Sequence, residues 1–466
     1  RFYRNALDLL EEGGDEARAA DVYAALGQPF TYLDRTDEAV VAYQRSLAFY
    51  EQTGDRRGAA RLHLRIGHAL QYHWDFSDAL PHLEQALAGL DPVAQREDLL
   101  LAHIDLARAH SFLKDLEASG RHAGEGVRIA RDVGNRSGEA NALTTLGLVA
   151  YRAGRREEAR DLYLQAIALG RTTHDAEGHY ALGRALNNLA LLPWVEGNFG
   201  EALRLYHEAL EAQKRARDIE GIVFHNGQIS FTYFMLGEWE RAREYLLDSL
   251  QRPLSPTNRR ICEARVKWIE GEWESALDLS RELAEERDPF PQWTVIWRGQ
   301  VVWQALDLER VEEAAAAAER AASAIETDPE YTAWPPFLAV AEALGRSGKR
   351  ERCEQLCAWA DNQGERTDAP LARMGSALGR AALALYDGEA GRAVQLLHDA
   401  LPYAERAGPM AKARFLRRLG WALKARGAEG DRDRARTVLE DCLQLLERMG
   451  DRRMAGLVRT ELEALG

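Results

Sequence analysis

Four shortages in this sequence each remove a class of protein. No run of 18 apolar residues occurs among the 466, so no transmembrane helix is encoded. Cysteine is limited to four residues, too few for a disulfide framework in a chain this long. Cys353 and Cys357 stand four apart and not in a CxxC pair, while Cys353 and Cys442 fall where sibling segments carry Ala or Ser. They read as buried free thiols in a reducing cytosol, and a cytoplasmic setting is expected. Only 14 prolines interrupt a chain dominated by Ala, Leu, Glu and Arg, so helix throughout is expected. A cationic surplus is also lacking. The net charge of -14 and pI near 5.5 disfavour nucleic acid or an anionic membrane as partner.

Catalytic signatures are missing as well. There is no phosphate-binding GxxxxGK[ST] loop, no GxGxxG between strand and helix, no GxSxG elbow and no HExxH. His63, His68 and His73 are five apart, which spreads them around a helix instead of aiming them at one metal. Carboxylate pairs such as Glu157-Glu158 and Glu312-Glu313 begin helices, where they complement the helix dipole. No enzyme, cofactor or metal is expected.

What is present is a period. Asn141–Gly170 reads as two helices joined at Gly154-Arg155, with small residues at Gly147, Ala159 and Ala166. Gly147 and Ala159 are twelve apart and face each other when the helices fold back, while Leu143, Leu146, Leu162 and Ile167 fill the seam. The first small position recurs at Gly27, Gly67, Ala107, Gly147, Ala190, Ser230, Ala264, Val302, Ala341, Ala381 and Gly420, in steps of 34 to 43 residues. Twelve residues on, a second small position recurs in ten of the eleven segments, and GAEGDRD delays it by three in the last. Such hairpins cannot bury their apolar faces alone and must stack. Val302 and Leu283 are the two large residues at small positions.

This triplet resembles the tetratricopeptide repeat family along essentially the whole chain. Tyr43, Tyr163 and Tyr206 stand where that family has an aromatic, but its helix-ending Pro is replaced by stops at Gly54-Asp55, Gly134-Asn135, His174-Asp175 and Gly450-Asp451. The long repeats look like those of sensor regions in bacterial maltose-activator-like transcription factors and related multidomain signalling ATPases. The resemblance implies an all-α, right-handed α-solenoid of about eleven hairpins with a C-terminal capping helix. We expect one superhelical domain over 1–466. Within it lie a partial helix at 1–12, regular repeats over 15–252, irregular ones with a bend over 253–340, repeats over 341–449 and the cap over 451–465. Arg1 is expected to fall inside a helix, so the chain reads as a piece of a longer polypeptide.

In that family the first helix of each pair lines a concave groove. Phe76, Leu116, Phe199, Trp239 and Trp273 share a slot in the hairpin turn and plug its end. Groove-facing offsets collect Arg61, Arg65, His68, Arg108, Asn141, Thr144, Arg184, Asn187, Trp194, Gln228 and Phe231. Arg265, Trp268, Gln300, Trp303, Arg414, Arg417 and Trp421 complete the set. Arginines along the inner face of an acidic chain suit an extended acidic segment. The first repeat has Ala24 and Gln28 where chaperone-binding relatives carry their carboxylate clamp, so a chaperone tail is not expected. The expected partner is a protein segment, peptide or small effector held in the groove, together with other domains of a larger protein. An oligomerisation scaffold and a regulator of a phosphoryl-transfer partner remain as alternatives.

Overall fold

The structure, a computed structural model, describes residues 15–33, 35–72, 74–285, 291–327 and 335–465. Among them every regular element is an α-helix and no strand occurs. The order opens with α1 (Glu16–Tyr32), α2 (Thr36–Thr53), α3 (Arg56–Tyr72), α4 (Phe76–Gly89), α5 (Arg96–Phe112) and α6 (Leu116–Val133). Then follow α7 (Arg136–Arg152), α8 (Arg156–Gly170), α9 (Ala176–Val195), α10 (Phe199–Ala216), α11 (Ile219–Met235) and α12 (Trp239–Leu250). Next come α13 (Pro256–Glu270), α14 (Trp273–Glu285), α15 (Pro291–Asp307), α16 (Val311–Thr327), α17 (Pro335–Arg346) and α18 (Arg350–Thr367). The chain closes with α19 (Pro370–Tyr386), α20 (Ala390–Arg406), α21 (Pro409–Arg426), α22 (Asp431–Met449) and α23 (Arg452–Glu463). These are the helices of eleven hairpins plus a terminal one, an all-α solenoid fold. The helix expected over 1–12 lies outside the described residues.

The helix boundaries follow from capping chemistry. Asp75, Asp115, Asn135 and Asp451 each accept a hydrogen bond from the backbone N–H three residues on. Gly54, Gly134 and Gly450 take the left-handed conformation at the helix ends, with φ of 74°, 72° and 79°. At the fourth expected stop the helix ends earlier, at Gly170, although Asp175 still caps the next helix through the Gly178 N–H. The prolines at 256, 291 and 335 open helices, where the missing N–H costs nothing. Residues 286–290 and 328–334, within the stretch 253–340 where a bend is expected, lie outside the described set.

The small first-helix residue makes room for a large one from its partner. A Cβ on Gly147 would stand 2.6 Å from the Tyr163 ring, and one on Gly67 would stand 2.6 Å from Leu83. Gly27 and Gly420 face Tyr43 and Leu439 in the same way. The second small position touches the first: Ser119 Oγ donates to the Ala107 carbonyl at 2.5 Å, and Cys353 Sγ lies 3.6 Å from the Ala341 carbonyl. All four cysteines are buried and free. The large residues at small positions, Val302 and Leu283, are buried too.

The packing divides the chain into two compact units. The first comprises the chain to Ala190 with Leu205–His225 and Arg252–Ser255; the second comprises Leu191–Arg204, Asn226–Gln251 and the chain from Pro256. In the first, each helix from α1 to α8 packs on the next, and repeats far apart in sequence also meet. Tyr72 stacks on Tyr180 with ring centres 6.4 Å apart and donates its hydroxyl to buried Asp218, and Trp74 lies 6.1 Å from Phe224. In the second, each helix from α12 to α23 packs on the next, and Gly237 and Gly197 let Met449 and the Arg406 carbonyl approach closely. At both glycines φ is positive and a side chain would collide.

Candidate recognition surface

In the first unit the inner-face residues form a ladder from one leading helix to the next. Arg61, 63% exposed, pairs with Asp98 at 2.9 Å. His68 Nδ1 meets Asp105 Oδ2 at 2.7 Å, and Gln71 Nε2 donates to the Asp105 carbonyl at 2.7 Å. Arg108 donates to the Gln71 carbonyl at 2.7 Å and lies over Phe76. Arg184 donates to the Asn141 side-chain oxygen and lies 5.8 Å from the Tyr180 ring centre. Burial pulls the pKa of Arg184 down, and no carboxylate pairs with it among the described residues. Thr144 donates to the Ala140 carbonyl of its own helix, and Asn187 donates to its neighbour Asn188 at 3.4 Å. Arg65 is half-buried and has neither a hydrogen bond nor an ion pair among the described residues.

In the second unit much of the expected open face is sealed. Trp194, Trp268 and Trp303 are only 2%, 8% and 3% exposed, which corrects the expectation that these rings face a groove. Trp194 donates through Nε1 to Thr232 Oγ1 at 3.1 Å and stacks on Phe231; Trp268 meets Trp273 edge-on. Trp303 lies under the Arg414 guanidinium. Arg414 and Arg417 are buried as well. Arg414 pairs with Asp307 at 2.6 Å and with Glu342 at 3.2 Å, and Arg417 pairs with Glu309 at 2.9 Å and Glu461 at 2.7 Å. Arg418 holds the other Glu342 oxygen at 2.5 Å, and Trp421 lies beneath Arg417, Arg418 and Arg346. Burial alone would raise the Glu342 carboxyl, but Arg418, Arg414 and Arg346 overcome it and bring it down to about 2.

Sealing follows from the amino acids themselves. Large rings and guanidinium stems gain more from covering one another than from facing water, and the carboxylates of α15, α17 and α23 neutralise the charges. A cavity of about 30 Å³ survives among Trp239, Trp268, Trp303, Arg414, Arg417 and Asp451. It has room for about two waters and for no peptide. Gln228, Phe231, Arg265 and Gln300 stay half-buried on the earlier leading helices of this unit. Arg265 lies between Phe231 and Trp297, with its carbon 5.8 and 5.6 Å from the two ring centres.

Spacing along single helices concealed two histidine pairs. His63 and His82 meet Nδ1 to Nδ1 at 2.8 Å, and His103 and His122 do so at 3.0 Å. Each pair occupies the seam positions that hold Leu143 and Leu162 in the fourth repeat, and the two pairs are forty residues apart, one full period. Reading the histidines by repeat position would have revealed them. His110 stacks on His122 with ring centres 5.6 Å apart, while His73 lies outside the described residues. No cluster of three or more metal-ligating side chains occurs among the described residues. No described helix is long and apolar enough to cross a membrane.

Two tetratricopeptide repeat models match the sequence, over residues 98–172 and 182–217. No curated protein matches it. Among solved structures it is similar to aspartyl phosphate phosphatase F from Bacillus subtilis, with 11% identity and a TM-score of 0.44 over 69% of this chain and 92% of that one. It is also similar to the apo form of RapI, with 13% identity and a TM-score of 0.42 over 79% of this chain and 99% of that one.

Proposed function

We propose that the chain is a non-catalytic recognition module that holds a polypeptide segment against the inner faces of its leading helices. Its setting would be the sensor or interaction region of a larger bacterial signalling or transcription-regulatory protein. One contrast carries the reading. On the last leading helix, Arg414 and Arg417 are neutralised inside the chain. On earlier ones, Arg65, Arg265 and the side-chain amides of Gln228 and Gln300 keep partial exposure and have no in-chain hydrogen bond or ion pair among the described residues. Polar groups left half-buried and unpaired are those a bound backbone or side chain can satisfy. The tetratricopeptide matches support the same reading.

The test is a random-peptide display selection on the full chain, followed by calorimetry of the recovered peptides. Arg65→Ala and Phe231→Ala should each weaken binding of a subset at least tenfold, as for central contacts at an interface. Arg392→Ala, on the exposed surface of a second helix, should leave affinity unchanged. Peptides that bind all three variants as tightly as the parent would overturn the proposal.

A further inference from the structure

The arginines of the inner faces divide into two groups by their counter-charges. Arg61, Arg414, Arg417 and Arg418 each meet a carboxylate of this chain at 2.5 to 3.2 Å. Arg265 meets none among the described residues; its neighbours are two aromatic faces. Aromatic faces attract a guanidinium, but weakly beside the attraction of a carboxylate in the same low-dielectric surroundings. Partial burial lowers the pKa of Arg265, with no neighbouring carboxylate among the described residues to hold it up. Opposite it, on α11, Gly227 lies close: a Cβ there would be in ordinary contact with the Arg265 guanidinium, at 3.5 Å. Gln228 and Gln300 stand on the flanking leading helices with their amides unengaged.

We propose that Arg265 is a carboxylate-reading subsite: it receives an Asp or Glu side chain of the bound segment, with Phe231 packing against that residue's methylene groups. The fork of the guanidinium matches both oxygens of a carboxylate, and the rings hold it in place before the ligand arrives. Lysine could not reproduce the two-point contact. This assignment rests on the recognition reading above and names the chemistry that reading leaves open.

The test uses the full chain and three probes: the capped tripeptide acetyl-Gly-Glu-Gly-amide, its Gln counterpart, and sodium acetate at constant ionic strength. Thermal denaturation is followed as each is titrated. The Glu peptide should raise the melting temperature of the parent and saturate at a concentration at least tenfold below acetate. The Gln peptide should have no effect. Arg265→Met should fold with an equal or higher melting temperature and lose the response to the Glu peptide, and Arg265→Lys should lose about tenfold in apparent affinity. Acetate saturating as readily as the Glu peptide would overturn the assignment to a polypeptide acid. An unchanged response in Arg265→Met, or a collapse of its fold, would overturn the subsite itself. The Arg65 and Phe231 variants would still decide whether the inner faces bind at all.

Discussion

Acid should loosen the second and third repeats before the last ones. In each histidine pair one Nδ1–H donates to the other Nδ1, an arrangement that fails when both rings are protonated. Burial, the largest cause, lowers the pKa of His63, His82, His103 and His122, the last to about 4. The facing charges oppose one another. Glu51 favours protonation of His63, Asp78 of His82, Glu125 of His103 and Asp115 of His122; Arg128, Arg121 and His110 disfavour it. A folded pKa below the unfolded value of about 6.5 means that the stabilisation is complete above that pH and is lost as pH falls towards 4. For His122 a shift from 6.5 to about 4 sets a ceiling of about 3 kcal/mol at 1.36 kcal/mol per unit. The rings are half-buried, so about 1–2 kcal/mol per pair is the realistic loss.

Whole-chain melting would mix this with groups of opposite sign. Burial raises Asp451 to about 6, so its contribution favours acid. The assay is therefore local: hydrogen exchange of α3 to α6 against α19 to α22 at pH 7.5 and 5.5, corrected for intrinsic rates. Protection should fall by about tenfold in the former relative to the latter. Replacing both pairs with Leu, as in the fourth repeat, should abolish that difference. If the Leu variant loses protection in α3 to α6 just as the parent does, the histidines are not its cause.

Two further outcomes follow from the packing. Glu342→Gln leaves Arg414 and Arg418 without their shared counter-charge and should cost about 3–5 kcal/mol in denaturant unfolding of the last repeats; a loss below about 1 kcal/mol would show that the cluster is not electrostatically coupled. Because its folded pKa lies near 2, the stability Glu342 contributes should persist down to about pH 4.5 and fade below it. Gly147→Ala should destabilise the fourth repeat by about 1–2 kcal/mol, since the clash with Tyr163 outweighs a helix-propensity gain of about 1 kcal/mol; a more stable variant in thermal melts would refute the close-approach role.

Much of the fold was legible because it is local and repeated. Ala107 meeting Ser119 twelve residues on, glycine stops at Gly54, Gly134 and Gly450, and turn residues such as Phe76 all follow from spacing within one hairpin. The candidate surface was less legible. That Trp303 and Arg414 occupy inner-face offsets could be read from the period, but that they cover each other depends on α15 meeting α21, more than 100 residues on. The histidine pairs lay between these cases: their positions are periodic, yet 19 residues separate the partners, beyond any single-helix pattern.

By itself the sequence determined which residues form hairpins and which helix face each side chain takes, because helix periodicity and capping act within a few turns. Only the tertiary structure decided which inner-face charges find partners inside the chain and which are left over. That depends on the distance of approach between repeats remote in sequence, as when Tyr72 reaches Asp218 or Arg417 reaches Glu309, and no local pattern encodes it.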